Sequence, residues 1–379
     1  MKILWSPQLS SCSADGKVLL NKDSNMAVLR NMFDSMFYKR NDIVIAVEFS
    51  EQQCVIDEEL NEKFIFCFNE GRKFSNAYME RFCFDCDFFE RIKKVMPKFD
   101  IVFVNEPTKV IPLKKIFDGS KVVTYNHWLA FKNMPEIDLR QLEGMSAADI
   151  CFVNSEYAAA EIYDHCKAIF FPFRNIDITM QKIQPSFTGR VKPVKTGAKP
   201  NFVYNHRLSS DIYYARAYEI VESIFSDIEK VISPDEMPIV YFTNPSGKDF
   251  KLTKPYFKLI DLSSQEAYNN FLESKEVSCH LNTFFESEGM WSMSTVDCAK
   301  AGNACILPQK FGYAEIFNSD YVGYCQGQID ALSKVLGFIK GTLPVSEFDN
   351  FYIKNHSGAV VGNKLNRILQ DIAGGVYDV

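Results

Sequence analysis

Short runs of consecutive apolar residues punctuate the chain, separated by stretches whose apolar positions recur at helical spacing. The first such run, Met1 to Trp5, leads through a polar segment containing Ser10, Ser11, Ser13, Asp15 and Gly16 into an amphipathic stretch from Ser24 to Tyr38, which predicts a strand, a loop and a helix. Further β-branched or aromatic runs stand at Ile43 to Phe49, Phe64 to Phe68, Ile101 to Asn105, Lys121 to Tyr125 and Ile150 to Asn154. Runs apolar on both faces, alternating with helices, predict a parallel sheet covered on both sides.

The rhythm breaks at Gln181 to Pro200, which holds three prolines, two glycines and five basic residues but no acidic one. This composition reads as a linker. A second alternation then begins with the strand Asn201 to His206 and a helix from Asp211 to about Val231. Strands follow at Pro238 to Thr243, Phe257 to Leu262 and Val277 to Asn282, then a helix from Ser292 to Ala301, the strand Asn303 to Pro308 and a last strand-helix pair. The expected architecture is therefore two doubly wound α/β domains, 1–180 and 201–345, joined by 181–200, with 346–379 packing back on the first. Two such domains in tandem set a ligand cleft between the carboxyl ends of their strands.

Composition narrows the classes. The chain has 379 residues, enough for two cores, and 47% of them are apolar. Its net charge of -6 is dispersed in small mixed groups, which excludes a whole-molecule field for polyanions and leaves only local basic patches for nucleic acid. No basic-then-apolar leader opens the sequence and no apolar run reaches the roughly 20 residues of a membrane span, so a cytoplasmic protein is expected. The eleven cysteines are scattered, with only Cys83 and Cys86 in a CxxC and no second half for a zinc site, so they read as packing thiols and no metal is expected.

Candidate chemistry concentrates in Asn282 to Pro308, where a strand ends in a polar loop with Glu286, Glu288 and Gly289, and a helix opens at Ser292 and Ser294. The unpaired N–H groups and positive dipole of a helix start form a seat for a diphosphate, and Asp297, about a turn further on, can reach ribose hydroxyls. The strand Phe202 to Tyr204 runs into Asn205, His206 and Arg207, whose guanidinium can fork onto two phosphate oxygens. His206 reads equally as a packing residue or a ligand. A third strand, starting at Lys121, delivers Asn126 and His127 to the expected cleft, where an imidazole could bond a sugar or an acceptor hydroxyl.

The Asn282 to Pro308 segment resembles the donor-binding motif of retaining glycosyltransferases of the GT-B fold: an acid with glycine, a helix, a second acid, a small-residue run and an apolar strand. Those families separate two glutamates by seven residues. Here Asp297 matches the second acid and Glu288 the first, with eight residues between them and Glu286 the alternative. The resemblance implies GT-B, two Rossmann-like domains facing across a cleft, and a metal-independent retaining transferase with no cofactor beyond a nucleotide-sugar cosubstrate, UDP-sugars being favoured. It implies His127 with Glu288 or Glu286 as catalytic residues and Arg207, Asp297, Ser292, Ser294, Lys248 and Gly289 as donor contacts. Where these families add a lysine shortly after the arginine, this chain has Ile212, Tyr213 and Tyr214, which leaves Lys248 or Arg216 to supply the second cation.

Lys121 to Trp128 and Ala148 to Ser155 look most similar to phage DNA α-glucosyltransferases. That implies a hydroxymethylated base in phage DNA as acceptor, work in the host cytoplasm, and Arg190, Lys192, Lys195 and Lys199 as phosphate contacts. A glycan, lipid or small-molecule acceptor fits the acidic net charge equally well. So does a non-catalytic nucleotide-binding protein of the same fold, given the altered lysine and spacing.

Overall fold

The computed structural model describes residues 1–9, 16–20, 23–36, 43–56, 58–70, 84–126, 135–170, 178–208, 212–243, 251–262, 264–286 and 291–375. The chain forms two compact units, one of residues 1–188 with 356–379 and the other of 189–355.

The first unit is built on strands β1 (Ile3–Ser6), β2 (Val18–Leu19), β3 (Ile43–Val47), β4 (Cys54–Val55), β5 (Ile65–Phe68), β6 (Ile101–Val104), β7 (Lys121–Asn126), β8 (Ile150–Val153) and β9 (Met180–Lys182). Between them run helices α1 (Ser24–Met36), α2 (Glu58–Lys63), α3 (Cys86–Val95), α4 (Val110–Ile116), α5 (Pro135–Ala147) and α6 (Glu156–Phe170). Seven strands make a sheet in the order β5-β3-β1-β6-β7-β8-β9, every pair parallel, while β2 and β4 form a separate parallel pair. Both faces of the inner strands β3, β1, β6 and β8 are buried, which is why they read as continuous apolar runs rather than alternating ones. Ile3, Trp5, Ile45 and Phe103 pack under Leu29 and Phe33 of α1; Leu4, Val44, Val102 and Val104 pack under Phe89 and Leu113 on the opposite side.

The second unit repeats the scheme with β10 (Phe202–Tyr204), β11 (Val240–Phe242), β12 (Phe257–Leu259), β13 (Cys279–Leu281), β14 (Ala304–Pro308) and β15 (Tyr324–Cys325), and helices α7 (Ile212–Ile228), α8 (Gln265–Glu273), α9 (Met293–Lys300) and α10 (Gln328–Ile339). Its sheet order is β12-β11-β10-β13-β14-β15, again parallel throughout. The chain winds outward from β10 through β11 to β12, then crosses back to lay β13 on the other side of β10. The two strand ends therefore diverge into a crevice at β10 and β13, the place where such sheets bind ligands.

The expected linker is divided. Gln181 and Lys182 belong to edge strand β9, and Ile183, Ser186 and Phe187 are buried in the first unit. From Gly189 the chain is fastened to the second unit, where the N–H groups of Lys192 and Lys195 donate to the carbonyls of Lys300 and Gly302. The C-terminal segment is divided as well. Asn350 donates to the carbonyls of Lys192 and Ala299 in the second unit, whereas helix α11 (Gly358–Ala373) packs on α1 in the first, adding Val361, Leu365 and Leu369 to its core. Gly358 makes this approach possible, since a Cβ there would stand 2.4 Å from the carbonyl oxygen of Asn31. Among the described residues no helix is long and apolar enough to cross a membrane.

Candidate active site

The crevice of the second unit is organised by Asn205, the first residue after β10. Its side-chain amide donates to the Tyr268 hydroxyl at 2.6 Å and to the Ser294 carbonyl at 3.2 Å, and the Ser294 hydroxyl returns a bond to the Asn205 carbonyl at 3.1 Å. These bonds fix the end of β10 against the first turn of α9. Ser292 caps that helix, accepting from the Thr295 N–H at 3.1 Å. Thr295 Oγ1 bonds Ser292 Oγ and lies 2.9 Å from Nε2 of His280, so the cap is anchored to β13.

His206 and His280 lie side by side, ring centroids 5.3 Å apart, with Tyr204 and Phe284 against His206 at 5.1 and 4.9 Å. Burial pulls the His206 imidazole down to about 3, and burial plus His206 itself pushes His280 well below the ordinary range. Both rings are neutral at physiological pH, so they serve as hydrogen-bonding groups and not as cations. Several side-chain atoms here, among them His206 Nε2, Asn205 Oδ1 and Asn282 Nδ2, are buried without a hydrogen-bond partner. Natural proteins leave few such atoms, and a cluster of them at a strand crossing fits a polar ligand.

Asp297 sits half-buried on α9, and its carboxylate accepts a bond from Tyr268. Burial raises its pKa to about 6, with Lys300 and the Tyr268 bond opposing the rise. The Asn205–Tyr268–Asp297 chain thus links the strand end to the acid. Arg207 is exposed beside His206, its guanidinium 5.7 Å above the Tyr214 ring, and the Tyr214 ring meets Phe284 edge-on at 5.8 Å. Arg207, Ser292, Ser294 and Asp297 are therefore gathered at one end of the sheet. Glu286 is bound by Arg216, Nε to Oε2 at 2.8 Å. His127, Lys248, Glu288 and Gly289 lie outside the described residues, as does most of the Ser10 to Gly16 loop.

The four basic residues expected at a phosphate backbone fare differently. Arg190 and Lys199 are exposed, and Lys192 pairs with Glu273. The Lys195 ammonium is turned inward, bonding the carbonyls of Leu272, Ser274 and Val277 and Oδ1 of Asn303. A phosphate contact there would have to displace four internal acceptors.

One group at the corresponding crossing of the first unit, between β1 and β6, escaped the sequence reading. Glu106 is 1% exposed, held by Gln141 and the Thr108 N–H, and burial raises its pKa above the ordinary carboxylate range. Ser6 Oγ, Asn105 Nδ2 and Gln141 Oε1 are buried there without partners. The available signal was a polar Asn105-Glu106-Pro107 directly after the apolar strand. Among the described residues no cluster of histidine, cysteine and acidic side chains is arranged to hold a metal.

No protein-family profile matches the chain, and no curated protein matches its sequence. Solved structures do match its shape. Sucrose-phosphate synthase from Thermosynechococcus elongatus superposes with a TM-score of 0.70 at 9% identity, over 99% of this chain and 100% of that one. Anabaena HepE in complex with UDP and glucose gives 0.65 at 9% identity, over 98% and 100%. A UDP-forming α,α-trehalose-phosphate synthase from Burkholderia vietnamiensis gives 0.64 at 10% identity, over 99% and 98%. The fold is GT-B, an α/β architecture of two Rossmann-like domains.

Proposed function

We propose that this protein is a glycosyltransferase that takes its sugar from a nucleoside-diphosphate donor of the UDP-sugar class, bound at the carboxyl end of the second sheet. One observation carries the reading: at the β10–β13 crossing a guanidinium, a capped helix start, a half-buried carboxylate and unpartnered polar atoms converge. Arg207 and the first turn of α9 would hold the diphosphate, and Asp297 the ribose. Glu288 would hold sugar hydroxyls. The solved structure of HepE with UDP and glucose supports the choice of donor class.

As the glycosidic bond breaks, negative charge grows on the departing diphosphate, and donors already aimed at that position lower the barrier. In the proposed reaction these residues carry that charge without a divalent ion, and transfer proceeds with retention of configuration. Neutral His206 adds a hydrogen bond without competing with Arg207 as a cation. For the acceptor, the resemblance at Lys121 to Trp128 and Ala148 to Ser155 favours the hydroxymethyl group of a modified base in phage DNA. Arg190 and Lys199 are the residues of the basic segment left free to meet its phosphates.

Incubation with radiolabelled UDP-glucose, in the presence of a chelator, tests the reading. Slow release of glucose without acceptor, and label transferred to DNA containing hydroxymethylcytosine, are the expected results. Hydrolysis with no label in DNA would move the acceptor to glycans or small molecules. Binding without any turnover would make the protein a non-catalytic nucleotide binder of the same fold.

A further inference from the structure

Lysines gather at the amino edge of the first sheet, opposite the edge where Ser6, Asn105 and Asn126 stand at the strand ends. Between Lys93 and Lys121 the chain has seven lysines and three acids, although its net charge is -6. Lys109 and Glu106 are buried, which leaves six lysines against Asp100 and Asp118. Helices α3 and α4 both end at this edge, tied together by the Lys93–Asp118 ion pair at 2.6 Å and by the Phe99 and Phe117 rings, edge-on at 5.7 Å. Lys2, whose ammonium lies 5.1 Å from the centre of the Phe99 ring, and Lys121 extend the patch at the starts of β1 and β7. The acids here are engaged: Asp118 by Lys93, Asp149 by Lys114 at 3.1 Å, and Asp100 by the Lys2 N–H at 2.6 Å. Lys94, Lys98 and Lys115 are exposed, and among the described residues no acid pairs with them.

Lysines in a last helical turn offset the partial negative charge of the helix end, which accounts for Lys93, Lys94, Lys114 and Lys115. It does not account for Lys98, which lies beyond α3, or for Val95. That side chain is 77% exposed, one of the two most exposed large apolar groups among the described residues. An aliphatic tip set among ammonium groups matches a surface that is anionic outside and apolar within. We infer that the amino edge of the first unit is a docking surface for an anionic lipid bilayer, with Lys94, Lys98 and Lys115 at the headgroups and Val95 entering the interface. A nucleic-acid backbone is a poorer match. No arginine, the residue that forks onto phosphate oxygens, stands between Lys93 and Lys121, and the aromatic rings of that segment are buried away from any base. Ammonium groups on flexible stems act as point charges and suit a diffuse surface potential. Because the rest of the chain is acidic, attachment is confined to this face and is reversible. Docked in this way, the first unit turns the carboxyl ends of its strands away from the lipid.

Flotation of the full chain with vesicles of phosphatidylcholine alone, or of phosphatidylcholine with phosphatidylserine, tests this. The wild type should float with the phosphatidylserine vesicles only, and added salt should release it. Exchanging Lys94, Lys98 and Lys115 together for glutamine should weaken the partition about 100-fold, at roughly fivefold for each lysine. Val95→Ser should weaken it about 10-fold with the charges intact. Lys230→Gln, which removes an exposed lysine of the second unit, should float as the wild type does. The altered side chains lie on the surface, and unchanged urea unfolding would confirm intact folding. No flotation of the wild type with phosphatidylserine vesicles, or a triple variant that floats as well as the wild type, would overturn the assignment. Salt-sensitive binding to duplex DNA that is lost in the triple variant, with no flotation on either vesicle, would overturn it too and give the surface to nucleic acid.

Discussion

Lys195→Met is expected to destabilise the second unit by about 2–4 kcal/mol. The ammonium closes the C-terminal end of α8, where the Leu272 and Ser274 carbonyls lack helical partners, and reaches on to Val277 and Asn303. Burial lowers its pKa only to about 8, so the charge is present at neutral pH. Methionine keeps the apolar stem and removes every donor, leaving carbonyl groups that water reaches only in part. Urea unfolding should show a lower midpoint with an unchanged slope. A loss under about 0.5 kcal/mol, the range of ordinary surface substitutions, would mean that solvent already serves these carbonyls.

Asp297→Asn should move stability and binding in opposite directions. In the folded protein the Asp297 carboxyl titrates near 6 against an ordinary 3.8, because burial penalises the charge. The folded state thus holds the proton more tightly than the unfolded state, and stability falls as pH rises from about 4 to 6 and stays reduced above that. Asparagine carries no such charge, so the variant should be more stable than the wild type above pH 6, by roughly 1–3 kcal/mol, and should lose that advantage near pH 4. Nucleotide affinity should fall about 10-fold or more, since ribose hydroxyls donate to a carboxylate and an amide is a weaker and partly repelling partner. Wild-type affinity should itself decline as pH drops through 6, and the variant should lack that dependence. Calorimetry at pH 7.5 and 5.5 reads both effects. Normal nucleotide binding by the variant would remove Asp297 from the site.

Much of the fold was legible because burial on both faces leaves an unmistakable mark: Ile43–Val47 and Ile150–Val153 are apolar at every position, as a covered parallel strand requires. The segment 181–200 was harder, because composition reports flexibility in isolation and not the partners a segment finds. Its prolines and lysines suggested a free linker, yet Ile183 and Phe187 are buried and Lys195 is saturated by carbonyls far away in sequence. The proposed donor site was half legible. Arg207 directly follows an apolar strand and Asp297 lies one turn into a serine-capped helix, so local pattern put both near the carboxyl end of the second sheet. The pairing of Glu286 with Arg216, the neutral His206–His280 pair and the buried Glu106 depend on which strands become neighbours, and sheet order is not written in any single segment.

The most direct measurement for the account as a whole is a calorimetric titration of the wild-type chain with UDP-glucose, UDP and uridine at pH 7.5. The donor reading predicts saturable one-to-one binding of UDP-glucose and UDP, with dissociation constants below about 1 mM, and much weaker binding of uridine, which offers nothing to Arg207 or to the start of α9. No heat and no saturation with either diphosphate, or uridine bound as tightly as UDP, would contradict it.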